Sequence, residues 1–179
     1  GTITDGTIFP ATGRRTVIVM NHEGKRLREY EFDRRNKPLF TVPMYITSTN
    51  SGDIFVVDKV DATNRGRVVI LDRLGDIIQI YTGQPDFEME RKPFNPRDLI
   101  VTPSDTIIVA DINNNTLHCL NYDRQIITYY DMSTIGIKFP HSLGLLSSGT
   151  IFVGCITVAG RKHATKANIF ELEYSEIEY

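Results

Sequence analysis

Pro96-Arg-Asp-Leu-Ile-Val-Thr-Pro-Ser-Asp-Thr-Ile-Ile-Val-Ala-Asp-Ile-Asn-Asn-Asn-Thr-Leu-His-Cys-Leu120 holds three short strands and the turns that join them. Its apolar runs, at 99–101, 107–110 and 117–120, are rich in Ile, Val and Leu. None sustains a 3.6-residue period over the ten or more positions a helix requires. Pro96 opens the first strand, where a missing N–H forfeits no ladder bond. Thr102-Pro-Ser-Asp105 and the Asn run at 113–115 are turn and loop chemistry. Immediately downstream, Asn121-Tyr-Asp-Arg124 makes another tight turn into a fourth strand at 126–130. The stretch predicts four antiparallel strands in chain order.

The same unit recurs. Gly6-Thr-Ile-Phe9, Gly52-Asp-Ile-Phe55, Asp105-Thr-Ile-Ile108 and Gly149-Thr-Ile-Phe152 are four copies of one strand opening, spaced by 46, 53 and 44 residues. A second apolar run follows each copy, at 16–20, 67–71, 116–120 and 167–170. Proline opens a further strand in three copies, at Pro43, Pro96 and Pro140. Four-stranded units at a period of about 45 residues are the mark of a β-propeller blade. The expectation is a single all-β domain over residues 1–179, with blade units at about 1–31, 43–81, 96–130 and 140–173. The first and last units each supply three strands rather than four. We name the strands of a blade a to d, with a the proline-led strand and b the Gly-x-Ile-Phe strand.

The copy at 96–120 resembles the NHL repeat, with its proline-led strand, an aspartate closing strand b and an Asn-rich loop. Residues 43–75 match nearly as well, keeping Asp58 and Gly75. Gly66-Arg-Val-Val-Ile-Leu-Asp72 and the segment 140–155 are similar to the C-terminal propeller of tripartite-motif (TRIM) proteins. The outer copies depart from the pattern. Ala11 and Cys155 stand where strand b would end in aspartate, and Arg124 replaces the turn glycine. The resemblance implies a recognition module that binds a protein target for a ubiquitin ligase, or single-stranded RNA. The RING finger of such a ligase would lie outside this chain, since no Cys/His array for one is present.

Composition fits this reading. The 179 residues include no Trp, two Cys and 41% hydrophobic residues, at a formal net charge of −2. Apolar runs such as Ile54-Phe-Val-Val57 fall far short of the roughly 20 residues a membrane span requires. Residues 1–30 lack the basic-then-apolar pattern of a signal peptide, so a cytoplasmic chain or an excised fragment is expected. Cys119 and Cys155 sit in or beside apolar runs and are expected to be reduced and buried.

The net charge conceals an expected asymmetry. In a meander the b–c and d–a loops emerge on one face, and here they hold fifteen Lys/Arg against ten Asp/Glu. The rest of the chain holds five against twelve. The binding-face candidates are Arg14, Arg15, Arg65, Arg67, Arg97, Lys138, His141, Arg161 and Lys162. Arg with aromatic residues favours a protein partner, whereas Lys and Arg tracking a backbone favour RNA. Asp86, Glu88 and Glu90 interrupt a phosphate track, which places the protein target first. Incomplete terminal blades would offer unpaired edges through which two copies could associate.

A metal-dependent hydrolase or lyase at the channel mouth is the third and least favoured reading. Aligning the prolines sets Met44, Arg97 and His141 at one position of a channel mouth, and Tyr45, Asp98 and Ser142 at the next. One His and one Asp beside an Arg do not make a metal centre, and neither cofactor nor metal is expected. No histidine aligns to activate either cysteine. His118 is expected to face a neighbouring blade or solvent. Asp58 and Asp111, closing strand b in the two complete blades, are expected to be structural acceptors for backbone N–H groups.

Overall fold

The computed structural model describes residues 9–83, 92–121, 123–156 and 168–173. These contain thirteen strands and one 3-10 turn. The strands are β1 (Val17–Met20), β2 (Arg26–Tyr30), β3 (Val42–Ser48), β4 (Ile54–Lys59), β5 (Gly66–Leu71), β6 (Ile77–Tyr81) and β7 (Pro96–Val101). They continue with β8 (Ile107–Asp111), β9 (Thr116–Leu120), β10 (Ile126–Asp131), β11 (Pro140–Leu145), β12 (Thr150–Cys155) and β13 (Asn168–Glu173). All pair antiparallel with their chain neighbours, in sheets β1-β2, β3-β4-β5-β6, β7-β8-β9-β10 and β11-β12-β13. The expected b strand of the first unit falls on residues 6–9, of which only Phe9 is described.

The chain divides into two compact units, Gly1–Thr82 with β1–β6 and Gly83–Tyr179 with β7–β13. In the first, Val17, Tyr30, Leu39, Phe40, Ile54, Val56, Val69 and Leu71 form one core cluster. Phe55, Val57, Val68 and Ile70, on the other face of β4 and β5, are also almost fully buried. Both faces of these middle strands are covered, which is why β4 and β5 read as unbroken apolar runs rather than alternating ones. Each such side chain contributes about 1.5–3 kcal/mol by leaving water. The second unit repeats the arrangement around Ile108, Ala110, Leu117, Cys119, Ile137, Ile151 and Val153. Outer strands such as β2 and β13 are mostly exposed and correspondingly charged.

Two turns recur with the same chemistry. Between β1 and β2, β5 and β6, and β9 and β10, the side chain of Asn21, Asp72 or Asn121 accepts the N–H four residues on. The fourth turn residue then takes a left-handed conformation, at Gly24 (φ 80°), Gly75 (φ 93°) and Arg124 (φ 64°). Arg124 therefore adopts glycine's backbone without being glycine. Asp105 (φ 59°) does the same in the a–b turn, where Gly52 and Gly149 stand in the other copies. The repeat is thus one of conformation where it has lapsed in residue type.

The strand bounds differ from expectation in small ways. β3 begins at Val42, one residue before its proline, because the Asp58 carboxylate receives the Val42 N–H at 2.7 Å. The segment after β10, expected as a plain loop, contains a 3-10 turn, Met132–Ile135, capped by the Asp131 side chain and closed by Gly136.

Candidate functional site

In each complete sheet, and in the three-stranded β11-β12-β13 sheet, the residue after the proline is left out of the pairing register. The partners run Pro43↔Asp58 then Tyr45↔Val57, Pro96↔Asp111 then Asp98↔Ala110, and Pro140↔Cys155 then Ser142↔Gly154. Met44, Arg97 and His141 are the extra residues of three equivalent β-bulges. A bulge frees its residue from the strict alternation of the strand and re-aims its side chain. Sequence alignment had brought these three positions together, but the bulge itself is a register event that only the partner strand reveals.

In the first unit, Asp58 is fully buried. It accepts from the Thr41 and Val42 amides at 2.9 and 2.7 Å and from Arg67 Nε at 2.9 Å. Arg67 also donates to the Leu39 carbonyl at 3.1 Å. The pair pins the loop entering β3 to the end of β4, so Arg67, a binding-face candidate by sequence, spends its guanidinium inside the fold. Arg14 bridges Glu29 and Glu31, with Nε 3.0 Å from Glu31, and this bonding holds the Glu31 carboxyl below its ordinary range. Arg65 pairs with Asp61 at 2.9 Å. Thr63, with further hydrogen bonds, holds the Asp61 carboxyl low. Arg15 is different: its Nε is enclosed with no hydrogen-bond partner among the described residues. It lines a cavity with Phe32, Phe40 and Glu31, and Phe32 is 49% exposed. Met44 is 40% exposed and Tyr45 is half-buried.

One pairing corrects the expected division into faces. Arg34, in the loop between β2 and β3, forms an ion pair with Asp76 at the turn into β6. Meander bookkeeping sets those two segments on opposite faces. Each strand of a sheet is rotated by roughly 20–25° from its neighbour. Across four strands that twist brings the outer edge of one sheet against a loop assigned to the other side.

In the second unit, the Asp111 carboxylate accepts from the Asn95 and Asn113 amides at 3.2 and 3.1 Å and from Asn114 Nδ2 at 2.6 Å. His118 Nε2 lies 3.6 Å from it. The imidazole is buried and meets the Phe94 ring edge-on at 5.2 Å, which excludes the solvent-facing alternative of the expectation that His118 faces a neighbouring blade or solvent. All five residues of its strand are buried. Asp98 binds the Leu99 amide with one oxygen and the Leu143 amide with the other, both at 2.8 Å. Arg97 and His141 lie beside it. Burial first, then the Arg97 charge, lowers the His141 pKa, against a smaller opposing pull from Asp98. Arg97 Nε is enclosed without an acceptor, and no carboxylate pairs with its guanidinium among the described residues. Ser142 Oγ occupies the space a side chain at Gly154 would fill. Lys138 is exposed. Arg161 and Lys162 lie outside the described residues.

The thiols are free and buried. Burial pushes Cys119 up to about 11 and raises Cys155 as well, so both are protonated near neutrality. Among the described residues no three His, Cys, Asp or Glu side chains are grouped to hold a metal ion. No helix among them is long and apolar enough to cross a membrane.

No protein-family model matches the sequence, and no curated protein does either. Solved structures do match in fold. A protein of unknown function from Bacteroides caccae superposes with a TM-score of 0.61 at 16% identity, covering 88% of this chain and 55% of that one. A catalytically inactive virginiamycin B lyase from Staphylococcus aureus with quinupristin gives 0.56 at 20% identity, over 89% and 48%. The Pan2 WD40 domain of Neurospora crassa gives 0.53 at 14% identity, over 89% and 44%. The chain spans about half the length of the structures it matches. With its antiparallel four-stranded sheets, the fold is all-β and of the β-propeller class.

Proposed function

We propose that the chain is a non-catalytic recognition module that binds a protein target, of the kind a TRIM-NHL-like ubiquitin ligase uses to recruit substrate in the cytoplasm. The supporting observation is the state of the arginines. Arg14, Arg34, Arg65 and Arg67 are each already neutralised by Glu or Asp. A nucleic-acid backbone needs a run of free cations, whereas mixed charge around exposed aromatic surface such as Phe32 suits a protein interface. Among the described binding-face arginines, Arg15 and Arg97 are the ones that no Glu or Asp neutralises. The repeat resemblance supplies the ligase context.

The test is affinity capture followed by reconstitution from purified components, with wild type and an Arg15→Glu/Arg97→Glu variant. A purified partner should bind the wild-type chain and lose about tenfold or more in the variant, as interface hot-spot residues do. Single-stranded RNA binding with a log–log salt slope of about −0.7 per phosphate, and no protein partner, would overturn the reading in favour of the RNA alternative. Association of two copies through the terminal blades is an accompanying proposal. A monomer mass in sedimentation equilibrium excludes it.

A further inference from the structure

We propose that Arg97 and His141 form a seat for a single carboxylate of a protein partner. The inference rests on the protein-recognition reading and specifies what one part of the surface recognises. It begins with the bulges. Arg97 and His141 are the extra residues of β7 and β11, where a bulge breaks the strict alternation of side chains along the strand. The two strands adjoin, since the Asp98 carboxylate on β7 receives the Leu143 amide of β11. A guanidinium and an imidazole are therefore held at matching positions of neighbouring strands.

The Arg97 environment lacks one thing. Its Nε is enclosed with no acceptor among the described residues, although a buried donor left unsatisfied is costly. The nearest anion, Asp98, has one oxygen on the Leu99 amide and the other on the Leu143 amide. Asp98 thus offsets charge nearby without serving as the missing acceptor. The Nε is closed to a ligand, but the residue is half-buried and its terminal N–H groups form a planar fork that two carboxylate oxygens match, while the neighbouring imidazole can donate a further hydrogen bond. Arg97 contrasts here with Arg67, whose fork is filled by Asp58 and the Leu39 carbonyl. The charged groups acting on His141 are Arg97 and Asp98, and β12 sets Cys155 and Gly154 opposite its bulge. One guanidinium and one neutral imidazole donor, with an aspartate beside them, suit one carboxylate better than a chain of phosphates.

The carboxylate could come from an acidic side chain or from a chain terminus, and small probes separate the two. The imidazole carbon–proton resonance of His141, assigned by its loss in His141→Asn, is followed by NMR in the full chain. Titrants are N-acetylglutamate α-amide, N-acetylglycine and the neutral N-acetylglutamine amide. Either carboxylate should shift the resonance saturably with a dissociation constant on the order of millimolar, and the tighter one names the source. The neutral amide should leave it in place. Arg97→Gln should abolish the shift, and Arg97→Lys, which keeps the charge but not the fork, should weaken binding several-fold.

The wild-type titration alone can overturn the proposal: no shift up to the probes' solubility, or an equal shift with the neutral amide, removes it. So does a shift produced only by a short oligouridylate. If a captured protein partner binds Arg97→Gln undiminished, the seat is wrong and the recognition reading stands. If the probes bind but no protein partner exists, the seat stands and the recognition reading fails.

Discussion

The Asp98 carboxylate accepts the Leu143 amide at 2.8 Å, across 45 residues of chain and between two different sheets. A side chain on the first strand of one sheet thereby supplies an acceptor to the first strand of the next, at an edge with no ladder partner of its own. Asp98→Ala removes that acceptor and should lower stability by about 1–3 kcal/mol. Asp98→Asn keeps one of the two accepting oxygens and should recover part of the loss. Urea unfolding of the three proteins checks the order; equal loss in Asn and Ala would assign the effect to charge instead.

Asp58 and Arg67 make a second test. Asp58 is fully buried and Arg67 is its main cationic partner, so Arg67→Met strands a buried carboxylate that keeps only its two amide donors. The expected loss is about 3 kcal/mol. Removing both charges should cost less than the sum of the single changes, which a double-mutant cycle with Asp58→Asn measures. Additive losses would show that the two groups do not act as a pair.

Gly75 combines two constraints. It sits at φ 93°, and a Cβ there would run into the Tyr30 ring, which is itself buried and donates through its hydroxyl to the Arg73 carbonyl at 3.0 Å. Left-handed backbone alone costs an alanine roughly 1–2 kcal/mol. Gly75→Ala should exceed that, while Gly24→Ala, at φ 80° with open space around it, should show the backbone cost alone. Thermal melts of the two variants compare them directly. A smaller shift for Gly75→Ala would contradict the Tyr30 contact.

His141 should make stability fall on acidification. Its pKa in the folded protein lies below the ordinary 6.5. From about pH 6.5 downward the unfolded chain therefore binds a proton that the folded one resists, and stability declines until the folded value is passed. Denaturant titrations at about pH 7.5 and about pH 5.5 should show a smaller acid loss in His141→Gln than in the wild-type chain. An unchanged acid loss would place the sensitivity elsewhere. Saturating carboxylate, if the seat binds it, should reduce the same loss in the wild-type chain.

Residues 96–130 and 43–81 could be read from the sequence because one short pattern, proline-led strand, Ile-rich strand, turn and strand, is dictated by local chemistry and then repeated. Turn residues such as Asn21, Asp72 and Asn121 set the hairpins, and the sheets follow them. The Asp58 and Asp111 acceptors were legible for the same reason: a short carboxylate at a strand end has few other uses. What escaped depends on partners distant in sequence. The bulges at Met44, Arg97 and His141 exist only relative to β4, β8 and β12. Charge counting gave Arg67 to a binding face because nothing local reveals that Asp58 is buried. The Arg34–Asp76 pair follows from sheet twist, which no count of loops contains. The basic face was thus overestimated through its neutralised members, and its unpaired ones stood out only against them.

The repeated bulge also bears on how such a chain could be altered. Each sheet is specified by turns and apolar strands, while in three of them the residue after the proline stands outside the pairing register. Those residues are Met44, Arg97 and His141, a thioether, a guanidinium and an imidazole on equivalent backbone. The scaffold tolerates all three chemistries at one geometric address. Changing a recognition property therefore need not mean redesigning a blade: three positions form a small alphabet that can be rewritten while the sheets remain as they are.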